Sequence, residues 1–478
     1  MKHEAHGMQQ PRHIDKIGEA ASNAQQSDSL AQPINQRLLN FLFTLFLCMA
    51  APAFGAGISV MEHSVKELGQ AFSGAPVNTM DASMVYFNPG AMSQVRGKRI
   101  SMAGYFAAPS AIFHDRGSQL SPVFGNAPLK GGTGGDMAQS VVIPNIYYVQ
   151  ELSQRVAFGL GFNSPYGMSS SYHSDWKGRY QAIDSEITVL NFSPALSYKV
   201  TEKFSLGAGL DIQYLHSKLT NAIDLGPLCF SAFSPAQCGN QGLLPQAADG
   251  HVSLKGDSVG FGYNVGAYYA LNRDTNLGVS YRSRVAHDVH GNADFSLPGK
   301  ALALTQANIL VDTGARASMT LPDSVLFGFS RRFGPRWEFS ADMLWTHWSL
   351  IRDLRTNFSS AQPDDVQPFR WNDTWRYAAG VNYFSDAGKW ILRTGFAYDE
   401  TPVPSAQYRS PRIPDNDRYW LTAGFTYVVL KNVYVHGAYA HLFMDDVAIN
   451  RRGTTGDFLT GQYSGQINIG GLQLDWRF

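Results

Sequence analysis

Charge is scarce in this sequence: 16% of its 478 residues are charged, and the 38 basic and 38 acidic side chains cancel to a formal net charge of zero. A soluble domain normally carries more charge. Without a basic excess, nothing in the balance points to nucleic acid or to an anionic membrane surface. Long apolar runs are missing too. A helical membrane protein repeats runs of roughly 20 apolar residues, and only one stretch here approaches that length. Cysteine is nearly absent, with Cys48 in that apolar stretch and Cys229 and Cys238 further on. The latter two lie in a Pro- and Gly-containing segment at a spacing that suits a disulfide in an oxidising compartment, two unrelated thiols being the other reading. No metal-ligand cluster or nucleotide loop occurs, so no metal site and no cofactor are expected. His63, His173, His216, His436 and His441 have no Ser or Asp at a telling spacing, which argues against catalytic residues and an enzyme.

Aromatic residues and glycine are plentiful instead: 13% aromatic with 22 Tyr and 29 Phe, and 46 Gly, at a mean hydropathy of −0.18. Alternating strands reconcile low charge with modest hydropathy, because each apolar residue is followed by a polar one. The chain ends this way, with Leu472, Leu474, Trp476 and Phe478 interleaved with Gln473, Asp475 and Arg477. From about residue 98 that theme repeats, broken alternately by short and long connections. The short breaks are ELSQ at 151, TEK at 201, NRD at 272, GPR at 334, DAG at 386 and LKN at 430. The long ones lie near 109 to 139, 164 to 186, 217 to 258, 288 to 318, 348 to 372, 399 to 417 and 443 to 466. Six tight turns and seven long loops imply fourteen strands, with both termini on the short-turn side. The reading is an all-β fold, a 14-stranded antiparallel transmembrane β-barrel with short turns in the periplasm and long loops outside.

Along one segment Phe204, Leu206, Ala208, Leu210, Ile212 and Tyr214 define a lipid face, and Ser205, Gly207, Gly209, Asp211 and Gln213 the lumen face. Val259, Phe261, Tyr263, Val265 and Tyr269 repeat the pattern, and Trp337, Trp375 and Trp390 suit the interfacial aromatic girdles. Arg282, Glu338, Asp342, Arg376, Arg393, Asp475 and Arg477 fall on the inward parity, where mixed signs are expected to pair and brace the barrel or a plug.

Before the barrel stand two other segments. Arg37 followed by LLNFLFTLFLCMAAPAFGAG has the layout of a secretory signal, with cleavage expected after Gly55 or Ala56. Residues 1 to 36 are an extended leader or reflect a start placed too early, with Met8 a later candidate. Residues 56 to 97 lack alternation. Val65, Leu68, Ala71 and Phe72 have helical spacing, and a fourteen-strand barrel is wide enough to need a plug. The division is therefore 1–55 leader and signal, 56–97 an N-terminal hatch inside the lumen, and 98–478 the barrel.

Scattered matches in order make the sequence recognisable. They are Leu68, Gly69, Ala71 and Gly74; Asp81, Ala82 and Ser83; Asn88, Pro89, Ala91 and Met92; the stretch PYGMSSSY with Trp176, Gly178, Arg179 and Tyr180; and TWRYAAGVNY, AYDETPVP and RSPRIPDNDRYW. The sequence resembles the FadL-type outer-membrane transporters of long-chain fatty acids and other hydrophobic compounds, although it reads NPGAM where that family is closer to NPAGM. The resemblance implies passive uptake of a fatty acid, alkane or aromatic hydrocarbon. Such a molecule is caught at the external loops and released sideways through a kinked third strand, with Asn88, Pro89 and Pro165 the candidate gating residues. Pro165 either makes that kink or merely begins the loop. Leu225, Leu228, Phe230 and Phe233 are the candidate captors, or else pack their loop on itself. For a carboxylate head group Arg179 offers a bidentate fork with Tyr180 beside it, and Arg376 and Arg393 come next. The partners implied are the hydrophobic solute, outer-membrane lipid and the barrel-assembly machinery, with the protein a monomer. A general or substrate-selective porin is the competing reading, distinguished by lacking the hatch.

Overall fold

The computed structural model describes residues 57–301, 305 and 308–478. The leader, the signal with Cys48 and the expected cleavage point lie outside them. The strands are β1 (Lys98–Asp115), β2 (Val141–Ser153), β3 (Val156–Ser171), β4 (Asp184–Lys199), β5 (Phe204–Asp224), β6 (Asp249–Ala270) and β7 (Thr275–Arg282, then Val285–Ser296). They continue as β8 (Thr313–Leu321, Ser324–Phe333), β9 (Trp337–Thr346, Asp353–Phe358), β10 (Asp365–Pro368, Thr374–Phe384), β11 (Trp390–Asp399), β12 (Arg418–Leu430), β13 (Val433–Met444, Val447–Arg452) and β14 (Phe458–Arg477). Neighbours in sequence pair antiparallel, and β14 pairs with β1 from Arg99↔Arg477 to Asp115↔Gly461, so the sheet closes without an edge. The barrel is closed, antiparallel and fourteen-stranded.

Alternation decides which face meets lipid. Leu206, Leu210 and Tyr214 are open to the outside while Ser205, Asp211 and Gln213 between them are buried. The short turns fall where the sequence puts them. The long loops do not: β5 and β6 stay paired out to Asp224↔Asp249, far into the break expected from 217 to 258. Beyond the bilayer neither face of a hairpin meets hydrocarbon, so apolar alternation lapses while the backbone ladder goes on. The same extension shortens the loops between β1 and β2 and between β13 and β14.

Residues 57 to 95 sit inside the barrel, with 57 to 60 reaching up to β3 and the rest in the periplasmic half, and are almost wholly buried. The helical spacing at Val65 yields one turn, α1 (Val65–Leu68), capped by the Ser64 hydroxyl, which accepts from the Glu67 N–H. It cannot continue, because Ala71 and Phe72 take positive φ to turn the chain across the lumen. Two further short turns, α2 (Met84–Phe87) and the 3-10 segment Pro89–Gln94, follow. Here the NPGAM departure has a steric reason. A Cβ on Gly90 would lie 2.7 Å from the Gly266 carbonyl oxygen of β6, so plug and wall meet backbone to backbone.

Outside the membrane the β5–β6 hairpin carries α3 (Leu225–Ala232) and α4 (Pro235–Asn240), joined by the Cys229–Cys238 disulfide.

Candidate functional site

The inward face of each strand changes character with height. On β4 the lumen positions read Ser197, Ser193 and Asn191 near the plug, then Val189 and Ile187; on β5 they read Ser205, Asp211 and Gln213, then Leu215 and Leu219. Tyr166, Met168, Val289, Leu321, Trp348, Phe369, Trp371 and Ile413 complete one buried apolar cluster in the extracellular half of the lumen. A residual cavity of ≈ 60 Å³ remains among Ile187, Leu215, Leu254, Val289, Met319 and Leu354. The apolar cluster also holds a buried donor without a hydrogen-bond partner among the described residues, the Trp371 indole N–H.

The side of this chamber is incomplete. Pairing between β2 and β3 stops at Ile146↔Phe162. On its other side β3 carries an extra residue against β4, the register jumping from Asn163↔Asn191 to Tyr166↔Val189 across Ser164 and Pro165. Pro165 therefore lies inside β3 at a bulge and not at the start of a loop. The freed edge is capped from within by the first described residues of the plug segment. The Val60 N–H donates to the Pro165 carbonyl (2.9 Å) and the Gly167 N–H to the Ile58 carbonyl (2.8 Å). Nothing in the local sequence of Ile58 to Val60 marks them as a strand; they become one because β3 offers unpaired backbone groups.

Beneath the chamber the lumen is held by charge. Arg282 donates to Asp211 (2.5 Å) and to the plug carbonyl of Tyr86 (2.8 Å). Asp211 also accepts from Asn191 (3.0 Å), Ser193 (2.7 Å) and Asn264 (3.2 Å). Asn88 is fully buried, donating to the carbonyls of Pro76 (2.7 Å) and Ala267 (2.9 Å), and so ties the plug to β6. Pro89 follows against β5, where a Cβ on Gly207 would come within 2.3 Å of its carbonyl carbon. In the plug itself, burial pushes the Glu62 carboxyl up to about 7 and the His63 imidazole down to about 3. His63 is thus neutral at ordinary pH.

Of the residues chosen from sequence for a carboxylate, Arg179 and Tyr180 are spent on structure. Arg179 donates to Asp249 (2.7 Å), the Lys130 carbonyl (2.7 Å) and the Tyr180 hydroxyl (2.6 Å), and Tyr180 in turn donates to Asp249 (2.9 Å). The pair fastens external loops together and leaves no open fork. Arg376 donates to the plug carbonyl of Ala71 (2.8 Å) and Arg393 to Thr426 (2.6 Å), both buried beside the plug; the Nε and Nη1 of Arg376 and the Nε and Nη2 of Arg393 keep no hydrogen-bond partner among the described residues. Leu225 is sealed inside the loop with Leu243 and the two cysteines, and Leu228 and Phe230 are half-buried, Phe230 against Phe124 at 5.7 Å. Of these four only Phe233 is exposed, as is Leu244 later in the same loop. The chamber residues escaped the sequence reading because most lie at heights it assigned to loops. The available signal was the change from polar to apolar on one parity, as from Asn191 to Val189.

Comparison with known proteins agrees with this geometry. The chain is 28% identical over 412 residues to a long-chain fatty acid transport protein of Salmonella typhi, covering 84% of this chain and 91% of that protein. It is 27% identical over 467 residues to outer membrane protein P1 of Haemophilus influenzae, covering 92% and 99%. In fold it matches the crystal structure of a Pseudomonas aeruginosa FadL homologue at a TM-score of 0.80 and 24% identity, covering 88% of this chain and all of that one (100%). The Pseudomonas putida toluene transporter TodX aligns at 0.64 and 21% identity, covering 90% and 99%. The barrel spans the outer membrane many times. Residues 46–478 match the model of one family, and the chain belongs to it: the outer membrane protein transport proteins (OMPP1/FadL/TodX).

Proposed function

We propose that the protein admits hydrophobic small molecules, long-chain fatty acids or hydrocarbons, by passive uptake, and that it catalyses no reaction on them. The observation that carries this reading is the apolar chamber closed below by the plug and bounded sideways by the unpaired stretch of β2 and β3, which only the short Ile58–Val60 segment covers. A water-filled porin needs neither feature. Burying an apolar solute is worth about 0.8 kcal/mol per CH2, so an exit into the bilayer spares the chain a return to water. Entry begins at the exposed Phe233 and Leu244 of the external cap, and the Ile58–Val60 segment, which seals the β3 bulge, must shift for the cargo to leave. Asn88 and Pro89 keep the rest of the plug seated meanwhile. Residues 56–97 act as the hatch of a barrel formed by 98–478, following a leader and signal of 1–55, and the protein works as a monomer inserted by the barrel-assembly machinery. The names of the Salmonella relative and of the toluene transporter support cargo of this class.

Uptake of radiolabelled oleate and of toluene into cells expressing the protein tests the reading. Leu215→Asp together with Val289→Asp, which charge the chamber from β5 and β7 and leave the β3 bulge untouched, should abolish uptake of the preferred solute. Undiminished uptake by that variant would refute the route.

A further inference from the structure

A second apolar depression lies on the outside of the wall, and the transport route does not use it. It occupies ≈ 550 Å³ on the lipid face of β5 to β9, bounded by Tyr269, Leu277, Phe327 and Met343 over the backbone of Gly278 and Gly328. That volume is within the range of roughly 300–1,000 Å³ typical of small-molecule sites. Gly278 and Gly328 face each other across β7 and β8. From the lumen side the Pro76 ring and carbonyl press on both glycines, a Cβ there coming within 2.2 Å and 2.4 Å of them. The wall here is thus one backbone thick, and its outer surface is a trough between large side chains. The ladder on both sides is unbroken, from Tyr269↔Leu277 through Phe329↔Ala341, so this is no second exit.

The height of the trough identifies its leaflet. Leu277 follows the short turn at 271 to 274 by only a few residues, which puts the trough in the periplasmic leaflet, where phospholipid lies. One cation stands at its lower end. Arg331 shares the lipid-facing parity with Phe327 and Phe329, is exposed, and among the described residues forms no ion pair, its guanidinium resting 5.0 Å from the centre of the Phe333 ring. A charge on the lipid face is costly at mid-membrane but affordable at the interface, where a phosphate meets it. Lys203 and Arg273, in the β4–β5 and β6–β7 turns of the same barrel end, are exposed as well.

We propose that this trough is a binding site for one glycerophospholipid of the periplasmic leaflet, an acyl chain lying over Gly278 and Gly328 and the phosphate on Arg331. The bound lipid covers the wall behind Pro76. Native mass spectrometry of the full-length protein, released from nanodiscs of phosphatidylglycerol and phosphatidylethanolamine, tests it. One phospholipid should survive detergent exchange on the wild type. Ala341→Trp, which fills the trough from the lipid side, should remove it, and Arg331→Gln should weaken retention about tenfold while Arg331→Lys restores most of it. Heat-modifiable gel mobility identifies any variant that fails to fold, and the Arg331 pair decides the matter if Ala341→Trp does. Equal retention by wild type and Arg331→Gln would overturn the proposal. Added oleate displacing the phospholipid would overturn it as well, since the trough would then hold cargo.

Discussion

The two halves of the lumen are built by the same strands and filled in opposite ways. Below, Asn191 and Ser193 donate to Asp211, Asp211 holds Arg282, and Arg282 donates to the plug carbonyl of Tyr86, a chain of directed hydrogen bonds; above, Val189, Leu215 and Trp348 meet each other through shape alone. Directed bonds fix one partner in one register, and unpaired buried polar groups are costly, so the polar half suits a permanent occupant. An apolar wall has no bonds to leave unmade. It closes on itself when empty and opens for any greasy molecule of fitting size.

Removing the occupant of the lower half should break the contrast most completely. With residues 56 to 97 deleted, planar bilayers should carry large steady currents where the full-length protein carries little. Large currents from the intact protein would remove the plug from the account. Next in size comes the Asp211→Ala change. Losing one partner of a buried ion pair typically costs about 3–5 kcal/mol, so thermal unfolding of the purified barrel should begin at clearly lower temperature. Asp211→Asn, which keeps an acceptor, should cost less.

In the upper half, Trp371→Phe should leave conductance and stability near wild type. It should reduce uptake of a solute with a polar end more than that of a plain hydrocarbon, because only the former can use the unpartnered indole N–H. Equal effects on both would assign Trp371 to packing. Where the halves join, Glu62 should make the plug sensitive to pH. Its carboxyl titrates about 7 in the folded protein against an ordinary value of 4.5, so its contribution to plug stability is full below 4.5 and declines as pH rises through about 7. Glu62→Gln should flatten that slope in proteolysis of the plug between pH 5 and 8. Smallest of all, Cys229→Ser should loosen α3 and α4 outside the membrane without changing barrel unfolding. Hydrogen exchange confined to 225–248 would register it.

Much of this was open to reading without coordinates, and for identifiable reasons. The strand count was legible because lipid imposes a period of two on every crossing, and the turns because short breaks punctuate it. Leu472, Leu474 and Trp476 fall on the lipid side of β14 as their alternation requires. Loop lengths were not legible, since β5 and β6 continue past the bilayer where no period is enforced. Arg179 misled for a different reason. Its chemistry as a carboxylate fork is sound, but Asp249, seventy positions on, already occupies it, and no local pattern announces such a partner.

By itself, then, the sequence determined the kind of molecule: a two-faced chain of low charge satisfies its backbone in lipid only by closing into a barrel. The tertiary structure decided where cargo fits and where it leaves. The chamber exists because inward residues of β3, β4, β5 and β7 converge from distant parts of the chain. The side opening exists because β2 stops pairing at Phe162 while a short plug segment, unremarkable in sequence, supplies the missing hydrogen bonds.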